Sequence, residues 1–250
     1  MFRRIPRFQI LCFIASIFLL MFFYGYSRGV KGGLGKGLDL TMTVKLQERI
    51  DKSSRLRLAE SVGNIMEGST FFASPEVSTV VVIILGLSAL VDLKKKKIRW
   101  GALLIYLAFF LLVLGEIYGK SVVHHPSPPF YMIKNPTTVF PKNYINEQFS
   151  YPSGHTARAI FMSLVFLAVF SIPFGFARGE QYSVFKNKTR WFILALLCVA
   201  YMMLVAVSRI YLGHHWFSDV LGGLLLGSGF GLLALAFILP DPYNTKYMNS

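Results

Sequence analysis

Residues 208–219 read SRIYLGHHWFSD and connect two long apolar runs of the chain. Burying ionisable groups costs several kcal/mol unless they are paired or functional, so this polar stretch is a candidate site. His215 and Asp219 are four residues apart, and on a helix this spacing lets the carboxylate hold one imidazole nitrogen. The other nitrogen is then available for nucleophilic attack. Arg209 adds a planar guanidinium that suits phosphate oxygens.

The same stretch also fits a plainer interpretation, a basic and aromatic belt that anchors helix ends at the membrane surface. Arg209, His214 and Trp216 would then have no chemical role. However, all five histidines of the chain fall into three short segments, at 124–125, 155 and 214–215. Histidines confined in this way favour one site built from three loops.

The composition indicates an integral membrane protein. The 250-residue chain is 54% hydrophobic, and six of its apolar runs are long enough, or nearly so, to cross a bilayer. The net charge of +14 could indicate a nucleic-acid partner, but much of the excess lies in short connections, where it sets membrane orientation. We therefore predict an all-α bundle of six transmembrane helices with no nucleic-acid partner and no obligate protein partner. The predicted spans cover residues 8–24, 77–93, 100–118, 156–174, 191–207 and 216–239.

Basic residues predict how this bundle is oriented. Arg3, Arg4 and Arg7 precede the first run, which we interpret as a retained signal-anchor helix that starts in the cytoplasm. The KKKKIR stretch at 94–99 places the connection between the second and third spans on the same side. It follows that the three histidine segments lie on the external or periplasmic face. Both termini of this multi-pass plasma-membrane protein are expected to be cytoplasmic.

The spans divide the chain into three regions. Residues 1–74 contain the signal anchor and an external amphipathic segment, residues 75–239 form a five-span core, and residues 240–250 form a cytoplasmic tail. In the first region, GVKGGLGKG at 29–37 is typical of a flexible linker. Apolar residues at helical spacing then predict an external interfacial helix between spans 1 and 2, and a lid packed on the other helices remains an alternative. Those residues are Leu58, Val62, Ile65 and Met66.

The other two histidine segments also carry groups that can bind an anion. In YPSGHTAR, residues 151–158, the backbone N–H groups of Ser153 and Gly154 can form an anion cradle at a helix start, although Ser and Gly are also ordinary helix-start residues. In KSVVHHPSP, residues 120–128, Lys120 can bind a phosphate, and Glu116 one turn earlier can orient it. A lysine that merely reaches the membrane surface would give the same pattern.

Taken together, the three segments resemble the tripartite signature of the type-2 phosphatidic acid phosphatase family, KxxxxxxRP, PSGH and SRxxxxxHxxxD. This family also includes glucose-6-phosphatases and vanadium haloperoxidases, and the six predicted spans agree with its membrane branch. The resemblance covers residues 75–239. The matching positions are Lys120 and Pro128 in the first motif, Pro152, Ser153, Gly154 and His155 in the second, and Ser208, Arg209, His215 and Asp219 in the third.

One position departs from the family signature. Ser127 stands where the family has an arginine that is implied to hold the phosphate and stabilise its transition state. Arg158 lies three residues after His155 and therefore on roughly the same helix face. We hypothesise that either Arg158 or the pair His124 and His125 fills the vacancy.

The resemblance implies a reaction through a phosphohistidine that needs neither a metal nor a cofactor. His215, oriented by Asp219, attacks phosphorus, and His155 protonates the leaving group and then activates water. Because the two histidines start in opposite protonation states, a bell-shaped pH profile is expected. The positions implied to bind the phosphate oxygens are Lys120, Ser153, Gly154 and Arg209.

A site at the level of lipid headgroups predicts an amphiphilic substrate. We expect a membrane phosphatase that hydrolyses a lipid phosphate or diphosphate, such as phosphatidate, phosphatidylglycerophosphate, a lipid A phosphate or a polyprenyl diphosphate. Two alternatives stay open, a lipid phosphotransferase that uses the same phosphohistidine and a non-catalytic lipid-phosphate binder. A transporter is disfavoured, because its ionisable residues would lie at the bilayer midplane.

Overall fold

The computed structural model describes residues 7–53, 56–92, 97–134, 148–171 and 188–238, and these residues are almost entirely helical. The predicted tail at 240–250 and most of the basic connection after the predicted fourth span lie outside the described residues. Two short antiparallel strands, β1 (Val91–Asp92) and β2 (Lys97–Ile98), join α4 to the 3-10 turn Trp100–Ala102 before α5, and a second 3-10 turn covers Phe130–Met132. The described α-helices are α1 (Arg7–Lys31), α2 (Lys36–Ser53), α3 (Leu56–Phe71), α4 (Pro75–Leu90), α5 (Leu103–Val123), α6 (Gly154–Ser171), α7 (Lys188–Tyr211) and α8 (Phe217–Ile238).

Several of these helices are suited to cross a membrane. Within the described residues, four helical segments are long and apolar enough, and α3 with α4, bent by 51° at a short break, provides a fifth if the pair counts as one span. Helix α6 is apolar but shorter over Gly154–Phe170. The predicted all-α membrane fold is thus confirmed, whereas the sixth span stays a prediction. The four segments are Phe8–Lys31, Trp100–Val123, Thr189–Tyr211 and Phe217–Ile238.

Helix α8 lies at the centre of the bundle. In its apolar window 56% of the residues are buried, against 17% in α1 and in α7. A ridge of small residues, Gly223, Gly227 and Gly231, lies against α6, and a methyl group on Gly223 or Gly227 would collide with backbone oxygens of Ser153 and Ala157. Small residues at such a contact let two helix backbones approach closely. The ridge therefore joins the start of α6 directly to α8.

The remaining helices pack around this pair. One apolar core contains Phe23 from α1, Leu85 from α4, Leu112 from α5, Phe161 from α6 and Leu226 from α8. The outward faces of the helices are also apolar, as expected where the solvent is lipid rather than water. Hydrophobic residues that would be anomalous on a soluble protein are therefore ordinary here.

The two ends of α8 have different surroundings. At its C-terminal end, the guanidinium of Arg99 donates a hydrogen bond of 2.9 Å to the carbonyl of Ile238, which satisfies a terminal carbonyl with a cation. At its N-terminal end, α8 meets the end of α5, the start of α6 and the end of α7. The three histidine segments are therefore gathered at one end of the bundle.

The region before α4 differs from its predicted form. Helix α1 continues to Lys31, and the predicted flexible linker contains a short turn in which Gly33 and Gly35 have positive φ angles of 95° and 93°. Two helices follow in place of one. Helix α3 packs on the end of α7 through Met66 and Val62, which is the contact expected of a packed lid, and a position on the membrane surface stays a prediction.

Helix α2 has its polar face turned towards the protein. Asp39, Thr43 and Gln47 follow one another at four-residue spacing, and the first two are buried. Leu38 and Met42, the residues directly before Asp39 and Thr43, are 51% and 40% exposed. A helix that buries polar groups must supply them with partners, so α2 is expected to contact other polar segments.

Candidate active site

The first and second histidine segments run side by side. Helix α5 ends at Val123, and the next residue, His124, adopts a left-handed backbone with φ of 53°. Beyond it, the N–H of Ser150 donates to the carbonyl of His125 at 3.0 Å, and the N–H of Ser127 donates to the carbonyl of Gln148 at 3.3 Å. Backbone pairing thus fixes the approach to the PSGH sequence against the exit of α5.

The third segment is bonded to both of the others. The N–H of Ser153 donates to the backbone carbonyl of Asp219 at 2.9 Å. The indole N–H of Trp216 donates to the carbonyl of Pro126 at 2.7 Å. The structure therefore brings the three segments together, as their histidines predicted. The first bond also differs from the prediction, because the Ser153 N–H that was expected to cradle an anion is used by Asp219.

The ring of His215 is held in one orientation by a backbone carbonyl. Its Nδ1 lies 3.0 Å from the carbonyl oxygen of Ser150, and a carbonyl can only accept, so Nδ1 carries the proton and Nε2 presents the lone pair. The carboxylate of Asp219 lies farther from the ring, with Oδ2 at 3.7 Å from the same Nδ1, which is an ion-pair distance rather than a hydrogen bond. The role of Asp219 in orienting His215 stays a prediction, and the Ser150 carbonyl was not predicted, because a backbone oxygen leaves no signal in the sequence.

Asp219 is fixed on both of its oxygens. Its Oδ2 accepts a 2.8 Å hydrogen bond from the backbone N–H of Trp216, as in a capping box at the start of α8. Its Oδ1 accepts a 2.8 Å bond from Nδ1 of His125. The carboxylate is completely buried, and the ring of His125 is 6% exposed. His125 therefore faces Asp219, on the Nδ1 side of the His215 ring.

A second carboxylate reaches the same place from α2. The oxygens of Asp39 accept hydrogen bonds from the N–H and the hydroxyl of Ser218, at 2.8 and 2.9 Å, near the start of α8. One of them lies 3.8 Å from Nε2 of His125. Burial raises the pKa of the Asp39 carboxyl above its ordinary value, and the two bonds from Ser218 oppose this effect. Sequence reasoning missed Asp39, and the only available signal was the four-residue spacing of polar groups in α2.

The end of α7 shapes the third segment. The carbonyl of Arg209 accepts the N–H groups of His214 and His215 at 3.1 and 3.2 Å, which turns the chain sharply after the helix. Gly213 has φ of 71°, and a side chain there would collide with the carbonyl of Met132. The turn therefore requires glycine both for its backbone angle and for space.

His155 lies in strongly cationic surroundings. It is the second residue of α6 and is partly buried. Arg209, Arg158, His214 and His215 all lie close enough for their charges to act on its ring. Such surroundings favour an anionic ligand beside His155.

A carboxylate accompanies these cations. Glu116 of α5 accepts a hydrogen bond from Arg158 and lies 3.7 Å from the ammonium of Lys120. The Nε of Arg158 also donates a 2.9 Å hydrogen bond to the carbonyl of Ala73. The Glu116 carboxylate lies so close to Gly154 that any side chain at this position would collide with it. Arg158 is thus engaged by Glu116 and Ala73, and its predicted role in replacing the family arginine stays a prediction.

The remaining candidates of the first segment are less buried than His125. His124 is exposed, with its ring centroid 4.7 Å from that of Phe149. Ser127 is partly buried on the backbone pairing described above. The hypothesis that His124 and His125 together replace the family arginine stays a prediction.

The apolar helices define an integral membrane protein, and the buried imidazoles, carboxylates and cations at one end of its bundle define a candidate anion-binding site. Residues 105–241 match the PAP2 superfamily, and because this is more than half of the chain, the chain belongs to that superfamily. This match contains all three histidine segments.

Two curated relatives and one solved structure extend this result. Phosphatidylglycerophosphatase B of Bacillus subtilis is 26% identical over 182 residues, which cover 72% of this chain and 77% of that protein. Undecaprenyl-diphosphatase of Sulfolobus acidocaldarius is 31% identical over 149 residues, 59% of this chain and 60% of that protein. The crystal structure of a transmembrane PAP2 type phosphatidylglycerolphosphate phosphatase from Bacillus subtilis has a TM-score of 0.64 at 21% identity, covering 88% of this chain and 93% of that chain. This similarity shows a shared fold.

Proposed function

We propose that this protein is a metal-independent membrane phosphatase that hydrolyses a lipid phosphate or diphosphate through a phosphohistidine at His215. The observation that carries the proposal is the hydrogen bond from Nδ1 of His215 to the carbonyl of Ser150. It places the proton on Nδ1 and leaves the lone pair on Nε2, as a nucleophilic histidine requires. The two curated relatives, one named for a phosphate ester and one for a diphosphate, support both substrate types.

In the first step, Nε2 of His215 forms a bond to phosphorus while the bond from phosphorus to the leaving oxygen breaks. His155 gives its proton to that oxygen. Arg209 and Lys120 neutralise the charge on the phosphoryl oxygens, which is the main catalytic contribution of a protein to phosphoryl transfer. The positive charge on the phosphorylated ring is balanced by Asp219 and by the Ser150 carbonyl at Nδ1.

In the second step, water hydrolyses the phosphohistidine. His155, neutral after the first step, takes a proton from water as the oxygen attacks phosphorus. The bond between phosphorus and Nε2 breaks, and inorganic phosphate leaves.

The membrane orientation belongs to the same proposal. The site lies at one end of the bundle, next to the ends of α5 and α7 and the starts of α6 and α8. We assign this end to the external or periplasmic face and both termini to the cytoplasm, because Arg99, the last residue of the basic stretch 94–99, lies at the opposite end of α8. Lipid headgroups would then reach the site from the outer leaflet.

The decisive experiment measures phosphate release by the detergent-purified protein from a panel of lipid monophosphates and diphosphates in EDTA. The wild type should release phosphate, and His215→Ala should lose on the order of 10⁴-fold or more of the rate. A ³²P label that survives alkali but not acid should appear on wild-type protein quenched during turnover and be absent from His215→Ala.

The matched variant is His155→Ala. With a diphosphate substrate, whose leaving group needs little protonation, this variant should still be phosphorylated but should hydrolyse the intermediate slowly, so that the label accumulates. Release that requires an added metal, or that survives in His215→Ala, would refute the proposal. Transfer of the label to an alcohol in preference to water would identify a phosphotransferase instead.

A further inference from the structure

Four buried side chains alternate as carboxylate and imidazole from α2 to the nucleophile. Asp39 lies 3.8 Å from His125, His125 lies 2.8 Å from Asp219, and Asp219 lies 3.7 Å from His215. Their exposed fractions are 3%, 6%, 0% and 3%. The shortest of the three contacts does not involve the nucleophile. It joins Asp219 to a histidine that the family signature leaves unspecified.

We propose that His125 is a positioning residue for the nucleophile and that Asp39 positions His125 in turn. The inference rests on the proposed function of His215. His125 holds Oδ1 of Asp219, the N–H of Trp216 holds Oδ2, and the carboxylate plane is thereby fixed with Oδ2 facing Nδ1 of His215. Asp39, bound to Ser218, faces the other nitrogen of His125.

The physical reason lies in how Asp219 would behave without His125. A completely buried carboxylate oxygen that loses its donor is costly, and rotation about the side chain would bring it to another donor. One donor within reach is Nδ1 of His215, which lies 3.7 Å from Oδ2 of Asp219 and now donates to Ser150. The His215 ring would then turn away from its in-line position, and a displacement of this kind costs rate rather than affinity.

The local sequence provides a sharp substitution series. His125→Asn places an amide N–H close to the position of Nδ1 and keeps a donor for Asp219, whereas His125→Leu keeps volume without a donor. His124→Leu makes the same change on the exposed neighbouring ring. On α2, Asp39→Asn removes the charge that faces His125, and Glu48→Gln makes the same change at an exposed position.

We expect His125→Leu to lower kcat about 10- to 100-fold while KM stays within about threefold, because the phosphate-binding groups are untouched. His125→Asn should recover most of the rate, and His124→Leu should lose far less than His125→Leu. Asp39→Asn should lower kcat by about three- to tenfold, and Glu48→Gln should lose less than Asp39→Asn. Equal losses in His125→Leu and His125→Asn, or a loss confined to KM, would overturn the inference.

A measurement that needs no turnover separates this inference from the proposed function. In ¹⁵N-histidine NMR spectra of the detergent-solubilised protein, assigned with His215→Gln, the His215 signals should show the Nδ1–H tautomer. They should shift in His125→Leu and stay in place in His125→Asn. If the wild type released no phosphate from any lipid, the proposed function would fail. Unchanged His215 signals in His125→Leu would by themselves overturn the positioning role.

Discussion

The start of α8 and helix α2 each provide a buried carboxylate, and the two carboxylates flank the same imidazole. Asp219 belongs to a recognisable motif, whereas Asp39 lies outside the part of the chain that matches the superfamily. Both accept backbone N–H groups from the first turn of α8, from Trp216 and Ser218 respectively. A motif therefore marks one carboxylate beside His125, whereas the other comes from a helix outside the matched region.

Helix α2 extends this support beyond Asp39. The side-chain amide of Gln47 donates 2.9 Å hydrogen bonds to the carbonyls of Met132 and Tyr211, which belong to the exits of the first segment and of α7. Asp51, one turn further, binds Lys134 at 2.6 Å and the hydroxyl of Tyr211 at 3.0 Å. One face of α2 therefore joins two of the three site segments through Gln47 and Asp51.

The largest effect is expected for Asp219→Asn. The change weakens the bond from His125, removes the charge facing His215 and disturbs the capping box at once, so kcat should fall on the order of 10³-fold with the protein still folded. Steady-state phosphate release and a thermal melt in detergent test this. An equal loss of kcat in Asp39→Asn and Asp219→Asn would contradict the expected difference between the two carboxylates.

The next effect is expected for Gly223→Ala, which tests the contact between α6 and α8. The added methyl group would collide with the carbonyl of Ser153, so the two helices must separate at the site. We expect a loss of about 1–3 kcal/mol in stability together with reduced kcat. Gly68→Ala in α3, where the methyl group meets open space, is the matched control and should stabilise slightly or leave the melting temperature unchanged. Equal melting temperatures for the two variants would contradict this prediction.

A smaller effect is expected for Gln47→Leu. The substitution deprives the carbonyls of Met132 and Tyr211 of a donor, which should destabilise the protein by about 1–2 kcal/mol. Thermal melts of Gln47→Leu and of the control Glu48→Gln, at an exposed position on the same helix, measure this loss of stability. If Gln47→Leu melted like the control, α2 would support the site through Asp39 alone.

The smallest effect is expected for Lys134→Ala. Its ion pair with Asp51 is partly exposed, so its loss should cost less than about 1 kcal/mol and should matter less as salt is raised. Melts at low and high ionic strength measure the difference. A loss as large as that of Gln47→Leu at high salt would show that the pair acts as a buried contact.

The sequence allowed prediction of the helical membrane class and of the meeting of the three histidine segments, because apolar periodicity and histidine spacing reflect burial and shared location. It did not allow prediction of the Ser150 carbonyl as the partner of His215, since every residue carries the same backbone acceptor. The end of α1 was placed too early, because the helix continues past Tyr24 to Lys31. There Ser27 hydrogen-bonds the hydroxyl of Tyr151 at 2.9 Å, a contact between distant residues that no local pattern encodes.

The roles of Arg158 and Asp39 could not be predicted for a different reason. Arg158 carries a charge that suits phosphate, yet the structure places it against Glu116 and the carbonyl of Ala73. Asp39 lies in a polar helix next to a glycine-rich turn, where the local composition resembles an ordinary surface segment. In both cases the tertiary partner, rather than the residue type, determines what the side chain does.

The glycine ridge of α8 has a consequence for how this architecture can diversify. At Gly223 and Gly227 the backbone of α8 contacts the backbone at the start of α6, with no side chain between them. The distance between the PSGH turn and the start of α8 therefore cannot be adjusted by a change of side-chain rotamer, and few substitutions fit there. A change of substrate must therefore be accommodated elsewhere, in parts that tolerate new residues. The outward face of α2, where Leu38 and Met42 are exposed, meets this condition, whereas the inward face that carries Asp39 does not.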